Sequence, residues 1–263
     1  MPRERRDLRI KGPGEAKPGT APSSGKAPRT VICFVLTCEH GGNRIPRPYA
    51  SLFHGHRRVL DSHRGYDAGA LTMARTLARA LRATLIVSTV SRLLVELNRS
   101  PGHRNLFSPI SRAAPDPVRR NVYRRYYLPY RAKVQAAVRA SLRSGARVIH
   151  VASHSFTPVL NGRMRLADVG LLYDPRRAGE RKLCLRWQSA LHSIAPGWRV
   201  RRNYPYRGND DGLTRHLRRV FPANRYSGIE LEINQRIVHN DERAWRDARS
   251  KVVEALRIAV QAA

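Results

Sequence analysis

Residues 31–37 form a short apolar run rich in β-branched and aromatic side chains, the pattern of a buried strand. The run ends in a polar, glycine-rich stretch, Cys38-Glu-His-Gly-Gly-Asn43. Residues 68–81 carry apolar positions at helical spacing among good helix formers. Residues 84–90 predict a second strand, and 93–97 a further short apolar segment. The stretch 100–117, rich in Pro, Ser and Arg, predicts a surface loop, and 118–143 a long amphipathic helix with a kink at Pro129. Strands are predicted at 147–152, 169–173 and 228–233, and helices at 178–194, 212–220 and 242–260. Strands alternating with helices predict a three-layer α/β/α sandwich with a mostly parallel, mixed sheet. Without an internal repeat or linker, 29–263 is expected to be one domain.

Composition narrows this picture. The first 28 residues are charged and then Gly-, Pro- and Ser-rich, which predicts a disordered basic tail rather than a secretory signal. No apolar run approaches the ~20 residues of a membrane span. Three scattered cysteines make neither a disulfide framework nor a zinc knuckle and fit a reducing compartment, so a cytoplasmic location is expected. Lys and Arg number 50 against 19 Asp and Glu, a net charge of +31. These cations are spread along the chain with no dense stripe and no interleaved aromatic motif, as on a solvent-facing surface. Nucleic-acid or polyanion binding is the alternative. In either case a positive field draws in small anions.

Candidate chemistry collects at the strand ends. Glu39, His40 and Asn43 follow the first strand, and His154 lies between Ser153 and Ser155 after the strand at 147–152. Glu232 interrupts an apolar strand, where an unpaired carboxylate is costly and so points to a role or an ion pair. Glu230 shares its face by period two. Arg92, Asn98 and Arg99 flank the 93–97 segment, and Asp67 precedes the first helix. Zinc hydrolases take three protein ligands, mostly His and carboxylate, leaving a position for water, with a separate carboxylate to move the proton. An Arg fork beside an amide suits a substrate carboxylate. Each residue also has a plainer use. His154 could be a hydrogen-bonded core histidine, Asp67 a helix cap, and the segments at 98–99 and 203–212 ordinary turns.

The segments Cys38-Glu-His-Gly-Gly-Asn-Arg-Ile-Pro46, His63-Arg-Gly-Tyr-Asp-Ala-Gly-Ala70, Ser91-Arg-Leu-Leu-Val-Glu-Leu-Asn-Arg99, His154-Ser-Phe-Thr-Pro158, Asp168-Val-Gly-Leu-Leu-Tyr-Asp-Pro175, Asn203-Tyr-Pro-Tyr206 and Gly228-Ile-Glu-Leu-Glu-Ile-Asn-Gln235, in this order, resemble the N-formylglutamate amidohydrolase family. That resemblance implies a zinc-carboxypeptidase- and aspartoacylase-like fold. It also implies cleavage of N-formyl-L-glutamate to formate and L-glutamate with one zinc ion per chain. It makes His40 and His154 metal ligands, Glu232 the general base, and Asn98 and Arg99 the grip on the α-carboxylate. Arg92 would polarise the carbonyl or hold a carboxylate, while Asn203 and Tyr206 would line the substrate side. Carboxypeptidase-like sites use His-x-x-Glu, and here the fourth position is Asn43, so the third ligand comes from elsewhere, Asp67 first and Glu39 second. The two glycines after His40 are expected to let substrate approach closely. Other N-acyl amino acids or short peptides fit the same parts, and an inactive polyanion-binding protein is the alternative from another class.

Overall fold

The computed structural model describes residues 31–261, so the tail expected over 1–28 lies outside the described residues. The first apolar run forms β1 (Ile32–Cys38), followed by a 3-10 stretch (Arg47–Phe53) and α1 (Arg57–Leu60). Next come α2 (Ala70–Leu81), β2 (Thr84–Val87), α3 (Pro109–Arg112) and α4 (Asp116–Val122). A π-helical turn, Tyr123–Tyr127, joins α4 to α5 (Leu128–Arg143). Then follow β3 (Arg147–Phe156) and a small hairpin of β4 (Val159–Leu160) and β5 (Arg163–Met164). The chain closes with β6 (Val169–Leu172), α6 (Ala178–Ile194), β7 (Val200–Arg202), α7 (Leu213–Val220), β8 (Tyr226–Asn234), α8 (Gln235–Val238) and α9 (Glu242–Gln261).

Six strands form one sheet in the order β2-β1-β3-β8-β6-β7. All neighbours run parallel except β6 and β8, so the sheet is mixed and mostly parallel. Its two faces are read by period two. Leu36, Val151, Ile229 and Leu231 point to one face and pack with Trp187 of α6, Trp245 of α9 and Met73 and Leu77 of α2. Val35 and Val148 point to the other, against Val134 and Val138 of α5 and Leu213 and Leu217 of α7. This is the three-layer α/β/α sandwich. No helix among the described residues is long and apolar enough to cross a membrane.

Four segments differ from the sequence reading or go beyond it. Pro129 causes no sharp break: the Leu128 N–H reaches back to the Tyr123 carbonyl, and the widened turn absorbs the proline. The apolar 93–97 segment, given no element type by its pattern, makes buried turns. The 100–117 loop contains α3, capped where Ser108 Oγ accepts from the Ser111 N–H at 3.2 Å, and it buries Leu106 and Ser111. Finally, β7 is a three-residue edge strand with two exposed arginines, too short to show a period.

Candidate active site

Register assembles the polar residues. On β3, His150 and His154 share the α5/α7 face of the sheet with Thr37 of β1 and with Glu230 and Glu232 of β8. Cα pairing sets Ala152 beside Glu230 and His154 beside Glu232, at the carboxyl ends of three parallel strands. Ligands bind at that edge in open α/β sheets. The serines flanking His154 point to the opposite face. Ser153 Oγ donates to the Ala70 carbonyl at 2.9 Å and Ser155 Oγ to the Ala68 carbonyl at 2.6 Å. They fix the head of α2, and with it Asp67, against β3.

His40, Asp67 and His154 meet there, with candidate ligand atoms all within 4.8 Å of one another. Asp67 Oδ2 accepts from Nδ1 of His40 at 3.1 Å and from Nδ1 of His154 at 3.0 Å. The Asp67 N–H donates to the His40 carbonyl at 2.9 Å, which couples the two loops. Asp67 does not cap the helix: the N-cap is Gly69, in the left-handed region at φ +77, and the Asp67 carboxylate is turned inward. His154 is not a core histidine satisfied by backbone, since both its ring nitrogens face carboxylates.

Each imidazole is oriented from behind by an acid. His40 Nε2 donates to Glu96 Oε1 at 2.5 Å, and His154 Nε2 faces Glu39 Oε2 across 3.2 Å, off the line of a good hydrogen bond. Tyr130 Oη donates to Glu39 Oε1 at 2.8 Å. Glu39 is thus on the far side of the His154 ring from Asp67. That placement corrects its assignment as an alternative third ligand. Glu96 was not singled out in the sequence. An acid inside the apolar Leu93-Leu-Val-Glu-Leu97 run carries the same signal as Glu232 and would have found it.

Electrostatics favour a cation. Burial opposes ionisation of Asp67, but His40, the hydrogen bonds from both imidazoles, and Arg92 hold its carboxyl far below the usual range. Glu39, fully buried, is nonetheless brought to about 2 by His154. Burial and Arg92 oppose protonation of His40, yet Glu96 and Asp67 raise its pKa; His154 is raised well above normal, against burial, by Asp67 and Glu39. Positive charge is drawn to the imidazoles because three carboxylates meet only one guanidinium, Arg92. A divalent cation taking the place of those protons restores the balance. Tetrahedral zinc holds neighbouring ligand atoms roughly 3.3 Å apart, close to the Nδ1-to-Oδ2 spacing here, and orients its histidines through carboxylates as seen at Glu96 and Glu39. The residues present fit such an ion.

Glu232 completes the arrangement. It is 5 % exposed, and its Oε2 has no hydrogen-bond partner. Burial pushes its pKa up to about 8, with Asp67 and Glu230 adding to the rise against His154 and Arg92. Opposite it on β6 is Gly170, where a Cβ would stand 2.1 Å from the Tyr204 carbonyl and 3.1 Å from Glu232 Cβ. The chain after β7 folds back over this glycine and brings Tyr206 to the cleft.

The cleft is bounded by Arg92, Asn98, Arg99, Tyr206 and Arg207 around the metal-ligand candidates and Glu232. Arg92 is largely committed: its Nη1 meets Asp67 Oδ1 at 3.2 Å and its Nε meets Glu96 Oε2 at 2.7 Å. Its guanidinium braces the two acids while its side chain, 28% exposed, still borders the cleft. Asn98 Oδ1 accepts from the Leu213 N–H at 2.7 Å, which leaves its NH2 as the group available to a ligand, and Arg99 Nη1 donates to the Asp211 carbonyl. Asn203 is outside the cleft. Its Oδ1 accepts from the Tyr173 N–H at 3.0 Å and the Gly208 N–H at 3.1 Å, so it shapes the loop that carries Tyr206 rather than touching substrate. Asn43 turns away to Asp61 at 2.7 Å. The two glycines after His40 meet backbone instead of substrate: Cβ atoms there would lie 2.9 Å from the Ser88 carbonyl and 2.8 Å from the Thr89 carbonyl. A second cavity, at the amino-terminal edge of the sheet near Ile32, Arg147 and Lys182, contains neither an acid nor an imidazole.

A buried acid beside a cluster built for a cation is the equipment of a hydrolase. The sequence profile described as N-formylglutamate amidohydrolase matches residues 32–238, and the chain belongs to that family, whose members are hydrolases acting on amide bonds. Among solved structures, a gene product of Agrobacterium tumefaciens is 28% identical, with a TM-score of 0.73 over 89% of this chain and 92% of that one. An N-formylglutamate amidohydrolase from Ralstonia eutropha is 21% identical, with a TM-score of 0.60 over 88% and 94%, and it shares the fold. No match is found among curated protein sequences.

Proposed function

We propose that the protein hydrolyses N-formyl-L-glutamate to formate and L-glutamate in a zinc-dependent reaction. His40, Asp67 and His154 would hold the ion, which when bound supplies Lewis acidity toward the formyl carbonyl and the attacking water. The observation that carries this reading is Glu232, a buried carboxyl with an unpartnered oxygen beside that cluster. As a carboxylate it takes a proton from the attacking water. It then delivers that proton to the nitrogen as the C–N bond breaks, leaving a free amine and formate. Burial, Asp67 and Glu230 together raise its pKa to about 8, which suits the protonated form of the second step, and a bound cation would favour the ionised form that the first step needs. The free NH2 of Asn98 and the guanidinium of Arg99 bind the α-carboxylate, and Tyr206 closes the substrate side.

Assay of the full chain with added zinc against a set of N-acyl amino acids, reading free amine, tests the reading. Zinc content near one per chain and turnover of N-formyl-L-glutamate are expected. Glu232→Gln should lower kcat by about 10³-fold with metal content unchanged. Near-normal turnover by that variant with metal bound would rule out Glu232 as the base.

A further inference from the structure

Arg92 and Arg99, which line the cleft, and Arg165, which stands behind Tyr206, have different surroundings. Arg92 is braced by Asp67 and Glu96, and Arg99 is tied to the Asp211 carbonyl. Arg165 has no ion-pair partner among the described residues, yet it is firmly held. Its guanidinium lies 5.2 Å from the ring centre of Tyr206 and 5.9 Å from that of Phe156, and Nη1 donates to Tyr206 Oη at 3.2 Å. Its backbone is pinned at both ends. The N–H donates to the Pro158 carbonyl at 2.7 Å, and the carbonyl accepts from Asn234 Nδ2 at 3.0 Å. Asn234 is two residues beyond Glu232 on β8, so the anchor of Arg165 is built on the strand that carries the proposed base.

A guanidinium stacked on aromatic rings has lost most of its rotamer freedom and keeps N–H groups at its edge for a planar anion. Tyr206 lines the cleft, so the Arg165–Tyr206 pair stands at its rim, beside a second, more open cavity that Arg165 itself lines with Pro158 and Arg199. An uncompensated, preorganised cation at that place suits a carboxylate brought by the ligand.

We propose that Arg165, held against Tyr206, binds the side-chain carboxylate of the substrate and thereby selects an acidic N-formyl amino acid over a neutral one. This rests on the proposed hydrolysis of N-formyl-L-glutamate. The α-carboxylate falls to Asn98 and Arg99, and the two anionic ends of the substrate are separated across the cleft. Arg207 also borders the cleft without an ion pair, but it is exposed and nothing stacks on it, so it serves as the comparison.

The test is steady-state kinetics of the zinc-supplemented full chain on N-formyl-L-glutamate and on N-formyl-L-glutamine, which has the same shape without the charge. The native protein is expected to prefer the glutamate compound. Arg165→Met should reduce kcat/KM for it by about 100-fold, mostly through KM, and change that for the glutamine compound less than about threefold. Arg165→Lys should fall between, and Arg207→Met should keep the native preference. The glutamine compound reports folding of each variant. If Arg165→Met keeps the native preference, or if Arg207→Met abolishes it, the assignment to Arg165 is overturned while the hydrolase stands. If the native protein cleaves neither compound, the proposed function fails and the subsite with it.

Discussion

His40 and His154 each donate or face toward two carboxylates, and the outer pair, Glu96 and Glu39, fixes how the inner nitrogens point. Removing the charge behind one imidazole leaves the ligand in place but loosens its aim. Glu96→Gln is therefore expected to weaken zinc binding by about 10- to 100-fold, measured by chelator competition, while Glu232→Gln does not. A separate residue, His150, is buried between Thr37 Oγ1 at 2.9 Å and Tyr226 Oη at 2.7 Å. Burial holds its pKa down to about 4, with Arg218 and His154 assisting against Glu39. An unfolded histidine titrates near 6.5, so between these values the unfolded chain binds the extra proton. The stabilisation is complete above pH 6.5 and is lost as pH falls toward 4, by about 3 kcal/mol in total. Urea unfolding at pH 7.5 and 4.5 should show a smaller pH-dependent loss for His150→Gln than for the native chain.

At the level of elements, Gly170 decides whether the chain after β7 can lie on the sheet. A methyl group there meets the Tyr204 carbonyl at 2.1 Å, and backbone cannot yield as a flexible side chain does. Gly170→Ala should cost about 1–3 kcal/mol in stability and raise KM by displacing Tyr206, as read by thermal melting and kinetics. This loop also marks where sequence patterning ran out. The long strands and helices were legible because their apolar period is sustained: α6 runs over the predicted residues, and β1 and β8 differ only at their ends. The metal-ligand candidates His40, Asp67 and His154 were legible as polar residues at strand and helix ends. The roles of Asn203 and Arg92 were not, because side chains that hold backbone or brace other acids use the same residue types as those that bind substrate. Glu96 is masked by a segment whose signal is its apolar neighbours, and Arg165 by its place just after a hairpin with no period at all.

On the scale of the whole molecule, a chain of net charge +31 gathers four of its buried acids in one place. Glu39, Asp67, Glu96 and Glu232 are all buried at the carboxyl edge of the sheet, ringed by arginines at the cleft mouth. The outer field attracts anions while the inner cluster attracts a cation. Raising ionic strength from about 0.01 M to 0.15 M, which shortens the screening length from about 30 Å to about 8 Å, should therefore lower kcat/KM for N-formyl-L-glutamate several-fold. N-formyl-L-glutamine, with one charge fewer, should respond less. The three candidate ligands come from distant parts of the chain, Asp67 being 27 residues from His40 and 87 from His154. An ion gripped by all three would knot the loop after β1, the head of α2 and the end of β3 into one ring, much as a cross-link does. The chain would then regain its loop-closure entropy on unfolding only after letting go of the ion. The catalytic centre would in that case be a clasp for the fold as well as a tool.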